Sequence, residues 1–389
     1  MLSVERRPPV SQPRSVPEDK AAAPRARIAI AHGTILRRDA IGHDIFGMAA
    51  ILAECGFAIA LIADHVGAGL PDGCTALSVE EAVANPDFVL LIYHHSIFWR
   101  NGEALLRAVT APRLLKYHNV TPSEFFASYS PYYAELCREG RAQTRRLVEL
   151  FRRADRFTAD SPFNAAELAA CGARDVAVVP PFTTVKVCAS RRDTMPSPPY
   201  RILFVGRLAP NKGHLALLDT VAAYVAAHGP GIRLQIAGSG DSALGGYRDH
   251  LEDQIDRLDI RRQVELLGAV DDANLRDLFG KASVYLCLSE HEGFCVPIIE
   301  AQAAGLPVVA CDTAALGETI GPDQLIVPAP QSRAEFLHVA GLIHAVCTEP
   351  LLRQAVIRAG YRNVLNRFTA PRIADRFMAA LAPLLEPAA

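Results

Sequence analysis

The stretch Arg201-Ile202-Leu203-Phe204-Val205-Gly206-Arg207-Leu208-Ala209-Pro210-Asn211-Lys212-Gly213 begins as an apolar run of strand length and ends that run on a glycine. A glycine there lets the backbone turn tightly, and the loop beyond it sets two cations five positions apart ahead of a helical pattern. Strand, glycine turn and helix are the parts of a parallel, helix-covered sheet. The pattern repeats downstream at LQIAG (234–238), VELLG (264–268), SVYLCL (283–288), PVVAC (307–311) and LIVP (325–328). Upstream it recurs at RIAIAH (27–32), FAIALIA (57–63), FVLLIY (88–93), RLLKY (113–117), 155–160 and 175–180, with helices expected at 43–55, 131–154 and 163–171.

This alternation predicts an α/β chain with two doubly wound (Rossmann-like) domains facing across a cleft. The expected divisions are a tail at 1–26 with five prolines among charges, an N-terminal acceptor-side domain at 27–181, and a linker at 182–200 ending in Pro-Ser-Pro-Pro-Tyr. A C-terminal ligand-binding domain at 201–370 follows, and a last helix at 371–389 is expected to cross back to the first domain.

Length and composition agree with two cores: 389 residues, half of them hydrophobic. A formal charge of −2 provides no field for nucleic acid. Nine cysteines, an odd number without any C-x-x-C pair, point to free thiols in a reducing compartment, not to a disulfide frame or a zinc site. No stretch reaches the roughly 18 to 20 apolar residues that span a bilayer, so the expected location is cytoplasmic, including the inner face of the membrane. Only five of the 40 basic residues are lysines, at 20, 116, 186, 212 and 281, so a lysine inside a motif is informative.

Arg207 offers a planar fork and Lys212 a point charge, a pairing suited to a diphosphate. Downstream, Glu290-His291-Glu292-Gly293-Phe294-Cys295-Val296-Pro297-Ile298-Ile299-Glu300 places a proline in a first helical turn. The amides of Gly293, Phe294, Cys295 and Val296 would then point from a helix N-terminus, where an anion is favoured. Glu292 and Glu300 would repel that anion, so their carboxylates suit hydroxyl groups on either side of it. A diphosphate between two polyols is a nucleotide sugar, held in a cradle that needs no metal and no further cofactor.

With these residues in place, the sequence resembles the retaining family 4 glycosyltransferases of GT-B architecture. The resemblance covers nearly the whole chain after the tail and rests on VGRLAPNKG, IAGSGD, VELLGAVDDANLRDLF and the E-x7-E of HEGFCVPIIEAQAAGLPVV. It implies that Glu292 contacts the donor sugar, Glu300 the nucleotide ribose, and Arg207 and Lys212 the leaving diphosphate beyond Gly206. It further implies that the amides at 293–296 hold sugar and phosphates, that His118 in YHNVTP (117–122) lies beside the donor sugar, and that Gly42 in IGHD (41–44) stands in the place of a glycine-rich loop. Cys295 occupies a position where glycine is usual and Gln302 one where methionine is frequent. His94 and His95, ending the strand FVLLIY, are candidates for the acceptor pocket.

The implied activity is that of a retaining hexosyltransferase moving sugar from a nucleoside diphosphate to a hydroxyl acceptor, a sugar or a lipid-linked sugar, in bacterial polysaccharide or glycolipid assembly. A GT-B epimerase or phosphorylase and a non-catalytic nucleotide-sugar-binding protein are the alternatives. The Arg-rich helix expected at 138–156 carries seven arginines and suggests peripheral membrane contact through anionic headgroups, against the reading of a solvated face paired with Glu135, Glu139 and Glu149.

Overall fold

A computed structural model describes residues 26–37, 39–183, 185 and 194–385. Apart from residue 26, the expected tail lies outside the described residues, as do 184 and 186–193 of the expected linker.

The first sheet region contains β1 (Arg27–Ala31), β2 (Thr34–Ile35), β3 (Ala58–Ile62), β4 (His65–Val66), β5 (Cys74–Leu77), β6 (Leu90–His95), β7 (Arg113–Tyr117), β8 (Arg156–Ala159) and β9 (Ala177–Val178). Seven of these form one parallel sheet in the order β5-β3-β1-β6-β7-β8-β9, while β2 and β4 pair separately. The second sheet, also parallel, uses β10 (Tyr200–Val205), β11 (Ile232–Ala237), β12 (Val264–Gly268), β13 (Val284–Cys287), β14 (Val308–Cys311) and β15 (Leu325–Val327) in the order β12-β11-β10-β13-β14-β15. The expected fold class is therefore the one observed. In both sheets the order reverses beside the first strand, the switch point at which such sheets open a crevice.

Helices α1 (Ala40–Glu54), α2 (Val79–Ala84), α3 (Arg100–Ala108), α4 (Pro131–Leu150) and α5 (Pro162–Ala170) accompany the first sheet. With the second run α6 (His214–His228), α7 (Gly245–Arg257), α8 (Asp272–Lys281), α9 (Val296–Ala303), α10 (Leu316–Ile320), α11 (Arg333–Thr348) and α12 (Pro350–Arg367), and the chain ends in α13 (Ala370–Leu385). Central strands are largely apolar because helices cover both faces; β1, for example, buries Ile28 and Ile30 in one core and Ala29 and Ala31 in another. The edge strand β5 has no such run and leaves Thr75 and Ala76 exposed, which is why sequence pattern alone misses it.

The apolar residues of α13 recur at helical spacing, and Ile373, Phe377, Leu381 and Leu384 bury themselves against the first sheet's core beside Ile28, Ile45 and Leu52. Each such side chain is worth ~1.5–3 kcal/mol. The chain thus crosses between the domains twice, once before β10 and once before α13.

The expected helix at 138–156 is shorter than read. α4 stops at Leu150, where Phe151 turns extended and Asp155 captures the loop by accepting from the amides of Arg152 and Arg113. Arg152 and Arg153 therefore lie on that loop and Arg156 begins β8. Within α4, Arg138 pairs with Glu135 and Glu139, Arg141 with Glu167, and Arg146 with Glu103.

Candidate active site

Gly206 closes β10, and the loop beyond it leads through a 3-10 turn at Pro210–Lys212 to Gly213. Gly213 has φ 66° and a Cβ there would stand 1.9 Å from the Leu288 carbonyl oxygen, so glycine is required both by conformation and by space. That close approach seats the 207–213 loop on the 288–292 loop. Asn211 donates its side-chain amide to the His291 carbonyl at 3.0 Å, and its own carbonyl accepts from the Glu290 amide at 2.9 Å. Lys212 then reaches Glu292 with Nζ 2.8 and 2.7 Å from the two carboxylate oxygens. Arg207 is exposed, and its charge is felt at Asp241 on its own domain and at Asp39 across the cleft.

After Glu292 the chain enters α9 through Cys295, at φ 72°, with no side-chain cap. The first-turn amides of a helix have no intrahelical acceptor, so this end of α9 presents donors beside Lys212. Phe294 itself is buried in a small core with Phe368, Ile299 and Val364, which leaves its backbone as the part available to a ligand. Glu300 lies one turn inside α9; burial, then the neighbouring charge of Asp272, raises its carboxyl to about 7.

The N-terminal domain meets this loop directly. A Cβ on Gly293 would fall 2.4 Å from the His118 carbonyl oxygen, and Ser161, the N-cap of α5, donates to the Gly293 carbonyl at 2.9 Å. Asn119, at φ 79°, is bonded to His291 at 2.7 Å while its amide nitrogen donates to Asn164 and Glu167. Tyr133 donates to Asp241, and Tyr129 bonds His250. His118, Lys212, Glu292 and the α9 N-terminus are thereby gathered at one place between the domains.

Under His118 lies a group that sequence reasoning missed. Nδ1 of His118 is 2.8 Å from Asp160, and Nε2 is 2.7 Å from Nδ1 of His94. Lys116, wholly buried, bonds the other Asp160 oxygen at 2.8 Å and the Val179 carbonyl, with Asp44 Oδ2 at 3.9 Å. Burial raises the Asp44 carboxyl despite Lys116 and His118, whereas at Asp160 the interactions with His118 and Lys116 outweigh burial and hold it below its ordinary value. The lysine scarcity was the available signal, because Lys116 stands in the strand RLLKY.

Both nitrogens of His118 are thus engaged within the chain, and what faces Gly293 is its carbonyl. The acceptor reading of His94 and His95 is corrected: each is only 1% exposed, because β6 is covered on both faces. His94 points into the charged group and His95 bonds Thr144 at 2.9 Å. At Gly42 the close approach is to the chain itself, since a Cβ would stand 1.6 Å from the Leu36 carbonyl oxygen. Its amide donates to Asp39, the N-cap of α1.

Among the described residues two groups have metal-ligand proximity, Asp44/His94/His118 and Cys287/Glu292/Cys295. The first is filled by the hydrogen bond between its histidines, Nδ1 of His94 to Nε2 of His118, which takes up nitrogens that would face an ion. No described helix is long and apolar enough to cross a membrane.

Residues 190–362 match the family model of glycosyl transferases group 1. The chain is 32% identical to a phosphatidyl-myo-inositol mannosyltransferase of Mycobacterium tuberculosis over 194 residues, 49% of each chain. It is 36% identical to a GDP-mannose:cellobiosyl-diphosphopolyprenol alpha-mannosyltransferase of Komagataeibacter xylinus over 152 residues, 36% of this chain and 37% of that one. The matches span half or less of these relatives' own lengths. In fold, Anabaena HepE in complex with UDP and glucose superposes with a TM-score of 0.72 at 16% identity, covering 92% of this chain and 99% of the other. Residues 190–362 thus match the group 1 glycosyl transferases, and over nearly the whole described length the chain has the GT-B fold.

Proposed function

We propose that this chain transfers a hexosyl group from a nucleoside-diphosphate sugar to an acceptor hydroxyl with retention at the anomeric carbon. The observation that carries the reading is the Lys212–Glu292 pair set beside the α9 N-terminus, with Arg207 on the same loop. Charge develops on the departing β-phosphate, so Lys212, Arg207 and the α9 amides stabilise the transition state more than the ground state. Glu292 positions the sugar and faces the positive charge that grows on its ring, and Glu300 takes the ribose hydroxyls. The departing phosphate accepts the acceptor's proton on the same face, so no carboxylate nucleophile is needed, and no metal or other cofactor is assigned to the reaction.

The His118 carbonyl, against Gly293, is the N-terminal domain's contribution next to the donor, while its ring is held by Asp160 and His94. Contacts such as Ser161–Gly293 and Asn119–His291 favour a closed cleft that excludes water. The names of the mannosyltransferase relatives favour an acceptor carrying a lipid, and hence work at the inner face of a membrane in glycolipid or polysaccharide assembly. Arg145, Arg153 and Arg156, the last bonding only backbone carbonyls, have no carboxylate partner among the described residues and are the basic groups of this segment left for headgroups.

Incubation with UDP-, GDP- and ADP-sugars over a panel of lipid-linked and free acceptors tests the proposal. Nucleoside diphosphate release that depends on acceptor, with an axial product from an axial donor, is expected. Donor binding without acceptor-dependent release overturns transfer, and an inverted product overturns retention.

A further inference from the structure

The thiols of Cys287 and Cys295, beside the loop that carries Glu292, take no part in the proposed reaction. Cys287 ends β13 fully buried, Cys295 caps α9, and their sulfurs lie 3.9 Å apart. Cys295 adopts φ 72°, a backbone region that penalises any side chain and that glycine would enter freely. A carboxylate oxygen of Glu292 and both sulfurs lie within 4.8 Å of one another. In a tetrahedral zinc site with Zn–S bonds of about 2.3 Å, two sulfurs are about 3.8 Å apart, so the thiols already stand at ligand spacing.

We propose that Cys287, Cys295 and Glu292 form a binding site for a thiophilic divalent ion of the zinc class, and that its occupancy blocks the donor site. Binding deprotonates both thiols and releases two protons to solvent. Two thiolates and one carboxylate then balance the ion together with the adjacent Lys212 ammonium, leaving no net charge in a nearly buried place. Cys295 and Glu292 retain a little exposure, which gives the ion its entry and leaves a fourth position for water. The ion draws Glu292 away from Lys212, which now holds both carboxylate oxygens. The spacing C-x4-E-x2-C is no familiar zinc pattern; the turn into α9 brings the ligands together.

Only the inhibitory effect rests on the proposed transferase reading. The test is equilibrium dialysis of the reduced full-length protein against zinc chloride with metal quantification, and cobalt(II) as a spectroscopic probe. About one zinc per chain is expected, with thiolate-to-cobalt charge-transfer absorption and no competition from magnesium. Cys287→Ser and Cys295→Gly should each weaken binding about tenfold or more, the second at a position where glycine fits the backbone. In turnover assays zinc should inhibit the unmodified protein reversibly by chelator, excess donor should protect, and Cys287→Ser should keep its activity in zinc. No bound zinc, equal binding by both variants, or loss of two thiols to a disulfide without bound ion overturns the site. If no donor is turned over at all, stoichiometry and the cobalt spectrum still decide the ion site, and that failure falls on the transferase reading.

Discussion

On the C-terminal wall of the cleft, Lys212 and Glu292 keep 19% and 10% of their side-chain surface open, whereas on the N-terminal wall Lys116 and Asp44 keep none. Both walls pair a lysine with a carboxylate, yet the open pair can exchange its partner for a ligand and the sealed pair cannot. The open pair is therefore read as machinery for a substrate, and the sealed pair as a frame that fixes His118. The two readings separate when each lysine is removed.

The largest effect is expected from Lys212→Ala, which should lower turnover about 10²–10³-fold by removing a cation from the developing phosphate charge. Its melting temperature should stay close to that of the unmodified protein; near-normal sugar transfer by this variant would erase the distinction between the walls. Lys116→Met should do the reverse and act on the fold. It leaves Asp44 and Asp160 buried without their cation, a loss of ~3–5 kcal/mol in urea unfolding, partly recovered by adding Asp160→Asn. An unchanged unfolding midpoint would show that the sealed group is not a frame.

A third, smaller effect belongs to Glu300, whose carboxyl is raised from 4.5 to about 7, first by burial and then by Asp272. Between these values the unfolded chain has released the proton and the folded chain still holds it, so stability falls as pH rises through that window and is constant above it. Glu300→Gln should remove this dependence. Its thermal stability relative to the unmodified protein should climb from pH 4.5 to about 7, by at most ~3 kcal/mol, and a gap that is flat with pH would contradict the raised value. The smallest change is Cys295→Gly, expected to add ~1 kcal/mol by relieving the left-handed backbone, read as a rise in melting temperature in the presence of chelator.

The same contrast explains what the sequence disclosed. The open wall is made by two short segments, 206–213 and 290–300, so Arg207, Lys212, Glu292 and Glu300 are candidates that local spacing alone can single out. The sealed wall draws Asp44 from α1, His94 from β6, Lys116 from β7 and Asp160 from the end of β8, elements spread from residue 44 to residue 160. No local pattern announces such a group. His94 and His95 were misread for a related reason: a polar pair at the end of a strand looks like a pocket lining until the helices covering both faces are known. The arginines after residue 150 continued an apparent helix only because charge pattern does not reveal the carboxylate of Asp155 waiting to capture the loop.

The return of α13 to the first domain has a mechanical consequence. One covalent crossing would act as a tether and leave the domains free to swivel in any direction. A second crossing between Arg367 and Ala370, where α13 returns to the first core, would restrict that freedom. A motion so restricted would keep Gly293 within reach of Ser161 and the His118 carbonyl, which it meets in this structure.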